Sequence, residues 1–189
     1  MKKLTFLGTM LLAAALIFTG CKDTKDETSA YSDCTEDATT VELSAGTWTL
    51  TTTVVESEGR ADMVATATVD EEGNYTFTSL TQTMVTTVPD AYKEMWDAMS
   101  EDDKKAFVTG EDAPENVQIT INGYNVKMSG TITDATQLAS FASSFDLDEL
   151  AEAVEDGSAT IKTNSDKTKY VITVTDEDGE TSTVYLSKN

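Results

Sequence analysis

Thirty-four carboxylates and no histidine define the chemistry open to this 189-residue chain. Without imidazole there is no His-assisted nucleophile, no His general base and none of the common zinc or copper sites. Acid–base work would fall to a pair of carboxylates, as in glycoside hydrolysis, but among so many Asp and Glu two sequence neighbours single out nothing. Hard oxygen ligands concentrate at Asp70-Glu71-Glu72-Gly73-Asn74 and Asp176-Glu177-Asp178-Gly179-Glu180, where calcium could bind. Neither has EF-hand spacing, and hairpin turns need Asp, Asn and Gly on backbone grounds alone, so both are read as turns. There is no Gly-rich phosphate loop, Gly-x-Ser-x-Gly elbow or paired-cysteine motif. The expectation is a non-catalytic protein with no metal and no cofactor.

One residue does carry a chemical expectation. The chain opens Met1-Lys2-Lys3, runs uncharged from Leu4 to Phe18 and reaches Thr19-Gly20-Cys21. That is the order of an export signal, and the apolar run is shorter than the roughly 18 to 20 residues a permanent spanning helix needs. Gly20-Cys21 in this position resembles the lipobox of bacterial lipoproteins, with Phe18 where Leu is usual. The resemblance implies that residues 1–20 are removed and that Cys21 is diacylated on sulfur. Its acyl chains, at about 0.8 kcal/mol per buried methylene, would hold the protein on a membrane, with the outer membrane or cell surface as the expected location. Cys34 would then have no intrachain partner, and in its acidic surroundings it is read as an exposed bystander.

Loss of Lys2 and Lys3 with the leader takes the formal charge from −21 to −23. Nucleic acid is an unsuitable partner for such a surface, since binding requires cations against phosphates, and anionic headgroups repel it too. Attachment would rest on the lipid. Residues 21–40, acidic and almost without apolar side chains, are expected to form a disordered tether about 25 Å in reach.

Residues 41–189 amount to one domain. Trp48, Leu50, Thr52 and Val54 alternate with Thr47, Thr49, Thr51 and Thr53, the period-two pattern of a half-buried strand with a polar face. Similar runs near 60–70, 74–86, 115–122, 124–133, 158–164, 167–176 and 180–187 bring the expected strands to about eight. Turn signals at Glu58-Gly59, Gly73-Asn74, Asn122-Gly123 and Asp178-Gly179 make sequence neighbours antiparallel. Two short helical insertions interrupt them. Pro89 suits a helix start ahead of Tyr92, Met95, Trp96 and Met99, and Ser100 can cap a further turn carrying Phe107. Asp134 and Asp146 can cap helices presenting Leu138, Phe141, Leu147, Leu150 and Val154, with Gly157 closing the second.

Eight antiparallel strands suffice for a small barrel. Gly46-Thr47-Trp48, at the start of the first strand, is similar to the Gly-x-Trp element of lipocalins and bacterial lipocalin-like domains. The resemblance implies a mainly β, barrel-like antiparallel meander able to hold a small apolar ligand. Trp48, Tyr92, Met95, Trp96 and Met99 are the side chains that could wall its pocket, although regular helical spacing equally suits plain core. The chain departs from the family in offering Lys188, not Arg, from the last strand, and in carrying helical insertions. A helix-capped open sheet or a β-sandwich is the alternative fold, and a surface lipoprotein meeting a protein partner is the alternative function.

Overall fold

A computed structural model describes residues 29–56, 59–109, 117–143, 145–175 and 181–189. The leader, Cys21, and the turns at Glu58 and 176–179 lie outside the described residues.

Alternating threonines and apolar residues give the long strands expected of them. The strands are β1 (Glu36–Ala38), β2 (Gly46–Glu56), β3 (Gly59–Val69), β4 (Tyr75–Thr87), β5 (Gln118–Asn122), β6 (Asn125–Ile132), β7 (Ala159–Thr163), β8 (Lys169–Thr175) and β9 (Thr181–Lys188). All pair antiparallel in one sheet of order β1-β7-β8-β9-β2-β3-β4-β6-β5. The fold is thus mainly β, with nine described strands where eight were expected.

Helices fill the two insertions. A short 3-10 turn at Asp90–Tyr92 leads into α1 (Lys93–Asp97) and α2 (Glu101–Thr109), and α3 (Ala135–Ala142) and α4 (Leu147–Asp156) link β6 to β7. Each insertion therefore carries a pair of helices. The expected caps form: the Ser100 hydroxyl accepts from Asp103 N–H, the Asp134 carboxylate from Thr136 and Gln137 N–H, and the Asp146 carboxylate from Asp148 and Glu149 N–H, with Gly157 ending α4. These bonds satisfy amide donors that a helix start otherwise leaves open.

Three expectations are corrected. The strands do not run as a simple meander, because β4 pairs with β6 and leaves β5 outermost. The β5–β6 hairpin closes through the tight Gly123-Tyr124 turn, whereas α1 and α2 separate β4 from β5, so only the hairpin's return strand need lie beside β4. Among the described residues the sheet is also open, with β1 at one edge and β5 at the other. The apolar face that a barrel would turn inward is covered instead by α3, packed on β4, and α4, packed on β7.

The third correction concerns the tether. Its last part, from Ser29 onward, docks on the sheet: Asp37 pairs with Lys162, Lys169 bonds Ala30 O and Asp33, and the Tyr31 ring lies 4.9 Å from that of Tyr185. Few as they are, these residues find both cations and an aromatic surface. Cys34 is buried there, 8% exposed and not a surface bystander, and burial, aided by Asp33, pushes its thiol pKa up.

One sheet face is mainly apolar. Register aligns Tyr170, Leu186, Leu50, Ala65 and Leu80 across five strands. A one-residue register shift at Thr66/Ala67 turns both Phe77 and Leu80 inward, which strict alternation would forbid. The opposite face presents Thr49, Thr51, Thr53, Thr66, Thr81, Thr83, Ser129 and Thr131, with Thr81 bonded to Thr131 and Thr83 to Ser129 across β4 and β6.

Candidate functional site

The apolar face carries two separate clusters; of the five expected pocket residues, Trp48 belongs to one, Trp96 and Met99 to the other, and Tyr92 and Met95 to neither. Trp48 belongs to the larger. It is 2% exposed, its indole N–H donates to Ser44 O at 2.8 Å, and its ring lies 6.0 Å from that of Tyr170. The Tyr170 hydroxyl donates to Glu42 O at 3.0 Å and accepts from Glu42 N–H at 3.2 Å. Burial raises the Tyr170 pKa, because a phenolate would have to be desolvated.

Across from Trp48 stand Tyr75, Phe77, Phe141 and Phe145, joined by edge-to-face contacts of the kind aromatic rings prefer. The Tyr75 hydroxyl donates to Phe145 O, fastening the segment between α3 and α4 to β4. Burial is the main cause of an upward shift of the Tyr75 pKa, with Asp146 and Asp148 adding to it. Between these rings and Leu43, Trp48, Leu50, Ala67 and Leu186 lies a void of about 10 Å³, room for about one water and far below the several hundred Å³ of a small-molecule site.

The Gly-x-Trp element has its own geometry. Lys188 pairs with Trp48 in register. The Lys188 ammonium donates to Ser44 Oγ at 2.9 Å. Its stem fills the space over Gly46, where a Cβ would stand 2.8 Å from Lys188 Cε and where φ is +142°. Arg60 is on the opposite face, bonded to Asp62 at 2.7 Å.

Trp96 belongs to the smaller cluster with Val88, Val126 and Met128, against which Met99, Ile119 and Ile121 also pack. It is 1% exposed, donates to Gly123 O at 3.1 Å and meets Phe107 edge-on at 6.2 Å. Tyr92 and Met95 are on the surface, 40% and 41% exposed. Trp48 and Trp96 are thus not brought together, and Tyr92 and Met95 wall no common pocket with either.

Tyr170, Phe145 and Tyr75 were missed by sequence reasoning. The one local signal that could have placed any of them inward is the alternation of Tyr170 with Ile172, and nothing local shows that a hydroxyl will meet the backbone of Glu42. Buried polar residues among those described are Thr52, Thr163, Asn164 and Ser182, none of them ionisable. Asp70 in the first acidic turn accepts from Glu72 N–H, Asn74 N–H and Asn74 Nδ2, bonds that lower its pKa. Among the described residues no three potential ligands converge on a metal-sized point, and no helix is long and apolar enough to cross a membrane. No family model, no curated protein and no solved structure matches the chain.

Proposed function

We propose that this is a lipid-anchored bacterial envelope lipoprotein that works by binding a protein partner and catalyses no reaction. Cys21 carries the anchor, and the acidic, threonine-rich domain is what meets the partner. The carrying observation is the filling of the apolar face. With Trp48, Tyr170, Phe77 and Phe141 packed together, the void beside them is about 10 Å³, so this part of the core has no room for a small molecule and the surface is the better candidate for binding.

Flotation tests the anchor: wild type should travel with membranes and Cys21→Ser should not. Equal flotation and equal mass of the two would overturn the lipoprotein reading.

A second reading, a lipocalin-like binder of a small apolar ligand, is favoured by two observations. The void is lined wholly by apolar side chains beneath the Gly46-Thr47-Trp48 element, and β2, the first long strand, pairs with the last strand as a barrel-like framework would have it. Native mass spectrometry of the purified protein separates the two readings. No small-molecule mass beyond the covalent protein and its copies is expected; an excess mass of that kind lost on denaturation would move the function to the face under α3 and α4.

A further inference from the structure

The outer edge of β5 is unprotected. From Val117 to Val126 there is no charged residue, as in the central strand β4, yet β5 lies at the edge of the sheet. Sheet edges are normally protected from pairing by charge, proline, bulges or brevity. The other edge follows that rule, since β1 is three residues long and two of them are Glu36 and Asp37. β5 has five residues, Gln118-Ile119-Thr120-Ile121-Asn122, and among the described residues it pairs with β6 alone.

Its sequence is also chemically symmetric about Thr120: amide, isoleucine, threonine, isoleucine, amide. We propose that β5 is the seam of a homodimer, in which β5 of a second copy adds antiparallel to it about a two-fold axis through Thr120. Thr120 then meets the second copy's Thr120, Ile119 meets Ile121, and Gln118 meets Asn122. Each is a like-with-like cross-strand pair on one face, as an isologous contact requires.

The backbone is in the right phase for this register. Tyr124 O accepts from Val88 N–H on the β4 side, so the amides of Asn125, Lys127 and Ser129 turn towards β5. Their partners Asn122, Thr120 and Gln118 turn inward to meet them. That leaves the N–H and C=O of Ile119 and Ile121 directed outward. Centring the dyad on Thr120 makes Ile119 and Ile121 the hydrogen-bonded pairs, with Thr120 in the closer, non-bonded position.

Charge restricts where a second copy can dock. Two copies at −21 or beyond repel overall, and this uncharged edge is a place where they can meet without opposing carboxylates. Tyr92, Met95 and Phe107, exposed beside the same cluster as Ile119 and Ile121, leave apolar surface at that end for the second copy to cover.

The test is a disulfide placed on the dyad. Opposed Cα atoms in a non-bonded antiparallel pair lie about 4.5 Å apart, within the span a disulfide accepts. The full chain carrying Cys34→Ser and Thr120→Cys, oxidised and run without reductant, should give a dimer band. Cys34→Ser alone and Cys34→Ser with Thr160→Cys, an exposed threonine at the other end of the sheet, should not. By sedimentation, Thr120→Lys should weaken self-association about tenfold or more, because like charges would face each other across the axis, with an unchanged circular dichroism spectrum confirming the fold. A monomer at all concentrations, a dimer indifferent to Thr120→Lys, or a Thr120→Cys cross-link to a chain of another mass would each overturn the proposal. The last would assign the edge to a foreign strand.

Discussion

The two ends of the apolar face bury a tryptophan each, in similar terms and with different consequences. Trp48 and Trp96 are almost fully enclosed, and each indole N–H is satisfied by a backbone carbonyl. Around Trp48, six strands and two helices contribute to the core, and the rings of Tyr75, Phe77, Phe141 and Phe145 fill the remaining volume. Around Trp96 there is only the β4-β6-β5 end and a pair of short helices, so Tyr92, Met95 and Phe107 stay 37% to 41% exposed. A sheet covered by helices on one face is sealed where its strands are long and central. At its edge, two short helices do not cover all that the strands expose.

The largest expected effect breaks the sealed end. Trp48→Ala should cost about 3–5 kcal/mol, the usual range for removing a buried aromatic, and should lower the global denaturation midpoint. Trp96→Ala removes as large a ring but from the less enclosed end. Hydrogen exchange should find the loss of protection confined to α1, α2, β5 and β6, with β2 and β9 protected as in wild type. Uniform loss of protection in both variants would show that the two ends unfold as one unit.

The strand faces were legible because period two is a local property: Trp48, Leu50 and Thr52 fall inward wherever β2 pairs. Helix caps were legible for the same reason. Strand order was not, since nothing in Gln118–Asn122 or Asn125–Ile132 states which of two antiparallel neighbours will lie beside β4. Nor was the division of the expected pocket. Of Tyr92, Met95, Trp96 and Met99, which share one helical spacing, only Trp96 and Met99 pack on the sheet, and joining them to Trp48 required a tertiary distance that spacing does not carry. Burial of Cys34 and docking of Tyr31 depended on Lys169 and Tyr185, more than 130 residues away. Composition alone made that segment look unable to pack.

Gly46→Ala sharpens the account of the sealed end with a smaller effect, about 1–3 kcal/mol, from forcing an L-residue to φ +142°. The nearby obstacle, Lys188 Cε, belongs to a flexible side chain. Lys188→Ala should therefore recover only a minor part of the loss in a double-mutant cycle. Full recovery would mean that crowding, not backbone strain, keeps glycine there.

Tyr170→Phe should cost about 1–2 kcal/mol, because the Glu42 N–H and C=O lose their shared hydroxyl. It also changes the alkaline limb of stability. Burial raises the folded-state pKa of Tyr170, so the folded protein holds this proton after the unfolded chain has released it. The resulting stabilisation is complete below about pH 10, the unfolded tyrosine value, and is lost as pH rises through the folded pKa. Denaturation from pH 9 to 11 should show a shallower fall for Tyr170→Phe than for wild type, and identical slopes would remove Tyr170 as the cause.

The smallest effect belongs to the charged edge. Asp37 is 88% exposed in its pair with Lys162 at 2.7 Å, and exposed pairs contribute about 0 to 1 kcal/mol. Asp37→Asn keeps the size and the extended backbone of β1, so its denaturation midpoint should move by no more than about 0.5 kcal/mol, with an unchanged denaturant slope. A larger loss would mean that β1 is held by this ion pair. A negligible one leaves β1 held by its backbone ladder to Thr163, Lys162 and Ile161. In that case the charge on β1 matters for keeping other strands off this edge, the protection that β5 lacks.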